Sequence, residues 1–338
     1  MASPEMNLLF ILTGDIYQQP NVPVPRKINW DRFFRFARLN KVPHYVAVKV
    51  LEDKELDIKP DIRQQVTAIK KSEEAKLAKL RPALEVANSV FEQEPHLLQK
   101  TYLGYRFATH DVDFLVRDLG RARRLFESKG YQPELWWDNR SFEIVDDGFL
   151  EIEVYDKISP GPMSFIDEEI PWSGSREVVV EGVPMRLPSV EADLTTFLAD
   201  MNFRTHEITL GDLLYLYRLA HEADWPLIAG QAEKYNWLVP FHKTIAILNT
   251  FHRRLYDEPS PVEKYFPGVA QVSLDLPFIM PLPHLIGALW EKGAKNLIKL
   301  PGYFSVRLKK SHPGLHRIYS RLVLGYLGQP LGKYIYRK

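Results

Sequence analysis

The stretch Thr109-His110-Asp111-Val112-Asp113-Phe114-Leu115-Val116 decides how the rest of the chain reads. It is a run of apolar and β-branched residues that ends at Arg117-Asp118, which predicts a short strand. A strand sends alternate side chains to one face. Asp111 and Asp113 therefore share a face, and Val112, Phe114 and Val116 point the other way, into a core. Two carboxylates crowded on one strand repel each other unless a cation sits between them. Phosphoryl-transfer chemistry uses such pairs to hold magnesium.

A second stretch repeats the pattern. Leu150, Ile152 and Val154 alternate with Glu151, Glu153 and Tyr155. If this strand lies beside the first, it brings a third carboxylate to the same site. Each feature alone is weak. Asp-x-Asp and Glu-x-Glu also occur on the solvated face of ordinary antiparallel strands, and on these two features alone that reading is the commoner one.

The surroundings of the two strands predict an α+β chain. Trp30, Phe33, Phe34, Phe36, Ala37 and Leu39 recur at helical spacing behind a cap at Asn29, and residues 1–57 read as mostly helical. The short apolar run Leu8–Leu12 reads as a buried strand or a short helix. A long helix is expected from Asp61, with Val66, Ile69, Leu77, Leu80, Leu84, Ala87 and Phe91 as its apolar stripe and Pro82 bending or splitting it. From His96 the texture turns to short strands. A short helix over Leu119, Ala122, Leu125 and Phe126 is closed by Gly130. Tyr131–Trp137 reads as a strand. Ser141–Val145 and Phe149–Tyr155 read as a hairpin with a tight turn at Asp146-Asp147-Gly148, and Val178–Val180 and Val183–Leu187 as two strands joined by Glu181-Gly182. After Pro188 the chain is helical again. Thr209 begins a helix with Asp212 completing its cap, and further helices cover Trp225–Tyr235 and Pro240–Tyr256. Residues 257–283 hold several prolines and read as a linker. The blocks expected are thus 1–94, 95–188, 189–257 and 258–338.

Composition narrows the chemistry. The 338 residues contain no cysteine, which excludes disulfides, thiolate metal sites and a cysteine nucleophile. Apolar content of 45% and charged content of 26% are those of a soluble globular chain. The N-terminal apolar run lacks a basic start and is far shorter than the roughly 20 residues of a membrane span, so a cytoplasmic protein is expected. Net charge is +1 but uneven: residues 284–338 hold eleven Lys or Arg against Glu291 alone. There they interleave with Tyr303, Phe304, Tyr319, Tyr326, Tyr334 and Tyr336. Such a tail suits an anionic partner, RNA or a membrane surface; it equally suits packing on the acidic remainder of the chain. The histidines are scattered. His206, His221, His242 and His252 read as ordinary packed or surface residues, and Pro313-Gly314 interrupts His312 and His316. No His-Glu-x-x-His, Gly-x-Ser-x-Gly or Walker-type loop occurs. Trp225 reads as core.

The segment Leu97-Leu98-Gln99-Lys100-Thr101-Tyr102, then Thr109 to Val116, then Gly130-Tyr131, resembles the uncharacterised nucleotidyltransferase family within the DNA polymerase β-like superfamily. That superfamily is marked by a Gly-Ser pair, a spacer of roughly nine to thirteen residues, then Asp, an apolar residue and a second acid. Lys100-Thr101 stands here where Gly-Ser is expected, and nine residues separate Thr101 from Asp111. Flanking segments Trp30 to Leu51, Ile208 to Leu214 and Asp224-Trp225 are similar to helices of that family.

The resemblance implies a small mixed-sheet nucleotidyltransferase core flanked by N- and C-terminal helical regions. It implies that Asp111, Asp113 and Glu153 ligate magnesium, with two ions expected and manganese as a substitute. Glu151 is the runner-up third acid. Lys100 and Thr101 would hold the triphosphate of an NTP, with Arg106 supporting them. The implied reaction moves a nucleoside monophosphate to a hydroxyl acceptor, which is left open among RNA, a protein and a small molecule. The competing readings are a catalytically weakened relative that binds nucleotide, RNA or an anionic surface through its basic tail, and an interaction protein that uses the core as a scaffold.

Overall fold

The computed structural model describes residues 2–100 except 55 and 57, residues 111–135, 141–158, 164–203, 205, 207–272, 274 and 276–279. Helices α1 (Pro4–Leu12), α2 (Trp30–Leu39), α3 (Pro43–Glu52), α4 (Pro60–Leu77) and α5 (Leu80–Val90) come first. Strands β1 (His96–Gln99) and β2 (Asp111–Val116), helix α6 (Leu119–Ser128), and strands β3 (Glu134–Leu135), β4 (Ser141–Ile144) and β5 (Glu151–Tyr155) follow. Then come α7 (Ile170–Ser173), the pair β6 (Arg176–Val180) and β7 (Val183–Leu187), α8 (Val190–Phe203), β8 (Glu207–Ile208), α9 (Leu210–Leu219), α10 (Trp225–Lys234), α11 (Leu238–Tyr256) and β9 (Phe278–Ile279). Among the described residues no helix is long and apolar enough to cross a membrane.

Local chemistry sets several boundaries where the sequence places them. Leu8–Leu12 lies in helix α1, because Ser3 caps the Met6 N–H and Pro4 occupies the first turn, where its missing N–H costs nothing. Asn29 caps α2 through the Arg32 N–H. The long helix splits between Leu77 and Leu80, which leaves Pro82 in the first turn of α5. Thr209 and Asp212 form a reciprocal capping box at the start of α9. Glu181 and Gly182 have φ of 47° and 81°, as a two-residue turn with matching twist requires.

Three expectations change. The β4–β5 hairpin turns at Asp147-Gly148, but within a loop longer than a two-residue connection. Residues 145–150 connect the strands, and the Asp146 carboxylate accepts the Gly148 N–H at 2.7 Å. Asp146 thus satisfies the turn locally with its own side chain, and no two-residue geometry is needed. In the expected strand Tyr131–Trp137, Glu134–Leu135 is paired, Tyr131 turns its ring onto Phe126 and Phe149, and Trp136 and Trp137 lie outside the described residues. The described part of the proline-containing segment 257–283 packs as a strap. Val262, Val272 and Leu276 are buried, and β9 pairs antiparallel with β8. Prolines prevent a helix there, but side chains of α11 supply the missing backbone partners. Asn249 donates to the carbonyls of Phe266 and Gly268, and Thr250 both donates to the Ala270 carbonyl and accepts from its N–H.

The five-stranded mixed sheet has the order β1-β2-β5-β4-β3. The pair β2–β5 is parallel, and the other neighbours are antiparallel. Its apolar face (Leu98, Val112, Phe114, Phe142, Ile144, Ile152 and Val154) packs against α5, α6 and β7. A second, larger core joins α1–α4 to α8–α11. The N- and C-terminal helical regions therefore share one hydrophobic interior. The core changes at the α4–α5 break, where the Lys79 carbonyl also accepts the Leu150 N–H that leads into β5. A small cluster of Leu97, Leu115, Ile158, Ile166 and Ala192 seams sheet to helices.

A carboxylate cluster at one end of the sheet

The polar face of the sheet is divided along its strands. At one end Leu97, Leu115 and Tyr155 are covered by α7, α8 and the chain between β5 and α7. At the other end the register lines up side chains of one face. Gln99 pairs with Asp113, Asp113 with Glu153, Glu153 with Glu143, and Glu143 with Glu134. Asp111 pairs with Glu151 one step along. The strands alternate cleanly: Val112, Phe114, Ile152 and Val154 are buried in the apolar core, and this fixes which way the acids point.

Each of Asp111, Asp113 and Glu153 offers one carboxylate oxygen, and these oxygens lie within 4.8 Å of one another. Asp113 is buried, and Asp111 and Glu153 are half-buried. Three acids predicted from sequence are thus brought together by the parallel pairing of β2 with β5. Glu151 sits opposite Asp111 in register but is not a member of this close group. Hard carboxylate oxygens at this spacing fit a hard divalent cation such as magnesium or manganese better than a soft one.

Lys100 lies at the rim. Its Nζ is 3.1 Å from Asp113 Oδ1 and 3.7 Å from Asp200 Oδ2. The expectation for Lys100 was a triphosphate contact; the structure places its ammonium on Asp113. Its backbone has φ of 54°, the left-handed region that glycine enters freely. A glycine would adopt this conformation without strain. Thr101 and Arg106 lie outside the described residues, as do His206 and the basic tail 284–338.

Two neighbours of the site escaped the sequence reading. Asp200 sits near the end of α8, and an acid inside the apolar run Phe197-Leu198-Ala199-Asp200-Met201 was the available signal. Gln99 is buried beside Asp113. Its Oε1 accepts the Tyr155 hydroxyl at 2.9 Å, and its Nε2 has no hydrogen-bond partner among the described residues. The other singled-out residues are structural. Trp225 is buried and donates to the Ala220 carbonyl. His252 is buried between the Tyr17 hydroxyl and the Glu258 carbonyl, and burial holds its pKa below the usual imidazole value.

No family model matches this chain, and no curated protein does. One solved structure, of the antibiotic-resistance factor ANT(2'')-Ia, aligns with 18% identity over 50% of this chain and 98% of that one, at a TM-score of 0.35. A likeness at that level settles neither fold nor chemistry.

Proposed function

We propose that this chain is a metal-dependent nucleotidyltransferase that moves a nucleoside monophosphate from an NTP to a hydroxyl acceptor and releases pyrophosphate. The observation that carries the reading is the convergence of Asp111, Asp113 and Glu153 oxygens within 4.8 Å. Asp111, Asp113 and Glu153 would hold magnesium, which neutralises polyphosphate charge and polarises the phosphoryl group when bound. Glu153, which is half-buried, would also take part in removing the acceptor's proton. Lys100, Thr101 and Arg106 would hold the triphosphate, and most of the rate would come from positioning and charge neutralisation. The basic segment 284–338 would meet an anionic partner, and the expected compartment is the cytoplasm.

Asp111→Asn is the direct test. Magnesium-dependent NTP turnover should fall at least about a thousandfold, while circular dichroism and the melting temperature stay close to wild type. Unchanged turnover in a folded Asp111→Asn protein removes the proposal.

One observation favours a second reading. Lys100 already places a cation on Asp113, as a relative that binds nucleotide but has lost turnover would. NTP and magnesium binding without pyrophosphate release, measured with each of the common NTPs, selects that reading.

A further inference from the structure

Lys100 bridges the sheet and helix α8. Its ammonium reaches Asp113 on β2 and Asp200 on α8, and its side chain is 16% exposed. Asp113 is also one of the three acids whose oxygens converge. A divalent ion held by those oxygens would sit within a few ångströms of the ammonium, and like charges at that range repel strongly among half-buried groups. The Asp113 carboxylate would then face two cations at once. Asp200 supplies the ammonium with a second anchor, so leaving Asp113 does not send it into bulk water. The Lys100 backbone, at φ of 54°, is one that glycine would adopt without strain.

We propose that Lys100 is an exchangeable counter-ion. It neutralises Asp113 until a divalent cation enters, then gives up that carboxylate and presents its ammonium, still tethered by Asp200, to the polyphosphate. The polyphosphate is then held only once the metal is in place, so the metal binds first. This rests on the reading of the three acids as a metal site.

The proposal predicts effects of opposite sign from one substitution. Lys100→Met removes the charge. Lys100→Gly removes it and also suits the backbone, so one variant stays folded if the other does not. Mn2+ binding followed by electron paramagnetic resonance should tighten at least about tenfold in both variants. Binding of inorganic tripolyphosphate to the Mn2+-loaded protein, followed by calorimetry, should weaken at least about tenfold. Wild-type protein should bind tripolyphosphate only when Mn2+ is present. Mn2+ affinity that is unchanged or lower in the folded variants overturns the exchange and leaves the metal site standing. Tripolyphosphate affinity that is unchanged in the variants, or wild-type binding without metal, overturns it equally. Wild-type protein that binds no Mn2+ defeats the exchange and the metal reading together.

Discussion

Asp193 and the Asp111–Asp113–Glu153 group show two ways of keeping carboxylates out of bulk water. Asp193 is 2% exposed on α8. One of its oxygens takes the Arg176 guanidinium at 3.0 Å and the Tyr215 hydroxyl at 2.5 Å. Burial pushes its pKa up, and Tyr215 and Arg176 oppose that shift. One acid is matched there by a cation and a hydroxyl, and the result ties the β6–β7 hairpin to the helical core. At the sheet end three acids converge, and Lys100 is shared between Asp113 and Asp200. Balanced charge makes a strut. Concentrated charge makes a place for a cation, and it carries a standing repulsion that packing elsewhere must offset.

The sharpest way to break this contrast is to remove a partner from each. Arg176→Met should destabilise the fold by roughly 3 kcal/mol, near the low end for a broken buried pair because Arg176 is itself 24% exposed. The sign with pH follows from Asp193. Losing Arg176 raises its folded pKa further above the unfolded value. The penalty is therefore small below about pH 4 and grows as pH rises through the folded pKa. Denaturant melts of both proteins across pH check this. Asp113→Asn should change stability by less than about 1 kcal/mol, since relief of repulsion offsets the lost ion pair. A large loss there would mean that the sheet-end group is a strut as well.

Mn2+ titration should separate the two glutamates of β5. Glu153→Gln should weaken Mn2+ binding at least about tenfold, or roughly 1.4 kcal/mol. Glu151→Gln should leave it within about twofold. The reverse order would move the third ligand to Glu151. A small effect on stability belongs to Asp167, a half-buried acid with its own cation. Hydrogen bonds from Lys234 and Tyr235 hold its pKa below the usual carboxylate value. Asp167→Asn should cost about 0.5 kcal/mol at neutral pH, a figure discounted for solvent screening. That stability is present above the unfolded carboxylate pKa and is lost as pH falls through the folded one, so the two proteins should converge in acid.

Much of this was legible in the sequence, for reasons that differ by residue. The strand Asp111–Val116 and its two faces follow from alternation alone. The caps at Asn29 and Thr209 follow from local hydrogen-bonding chemistry, and so does the break before Pro82. The parallel register that sets Glu153 beside Asp113 depends on pairing across some forty residues, and alternation could propose it but not fix it. Asp200 reaches the site only through tertiary packing. The strap after α11 misled because prolines signal an absence of regular structure; the burial of Val262 and Leu276 beneath side-chain hydrogen bonds is non-local.

The strand order has a consequence for how the chain reaches this state. Strand β5 is the last of the five to be synthesised, yet it lies at the centre, between β2 and β4. A nascent chain that ends before Glu151 holds two partial sheets, each with an unpaired edge open to aggregation. Insertion of β5 closes both edges in one step and delivers Glu153 to Asp111 and Asp113. The carboxylate group cannot form before the sheet is whole, so the proposed cation binding would appear during refolding only with the final strand insertion.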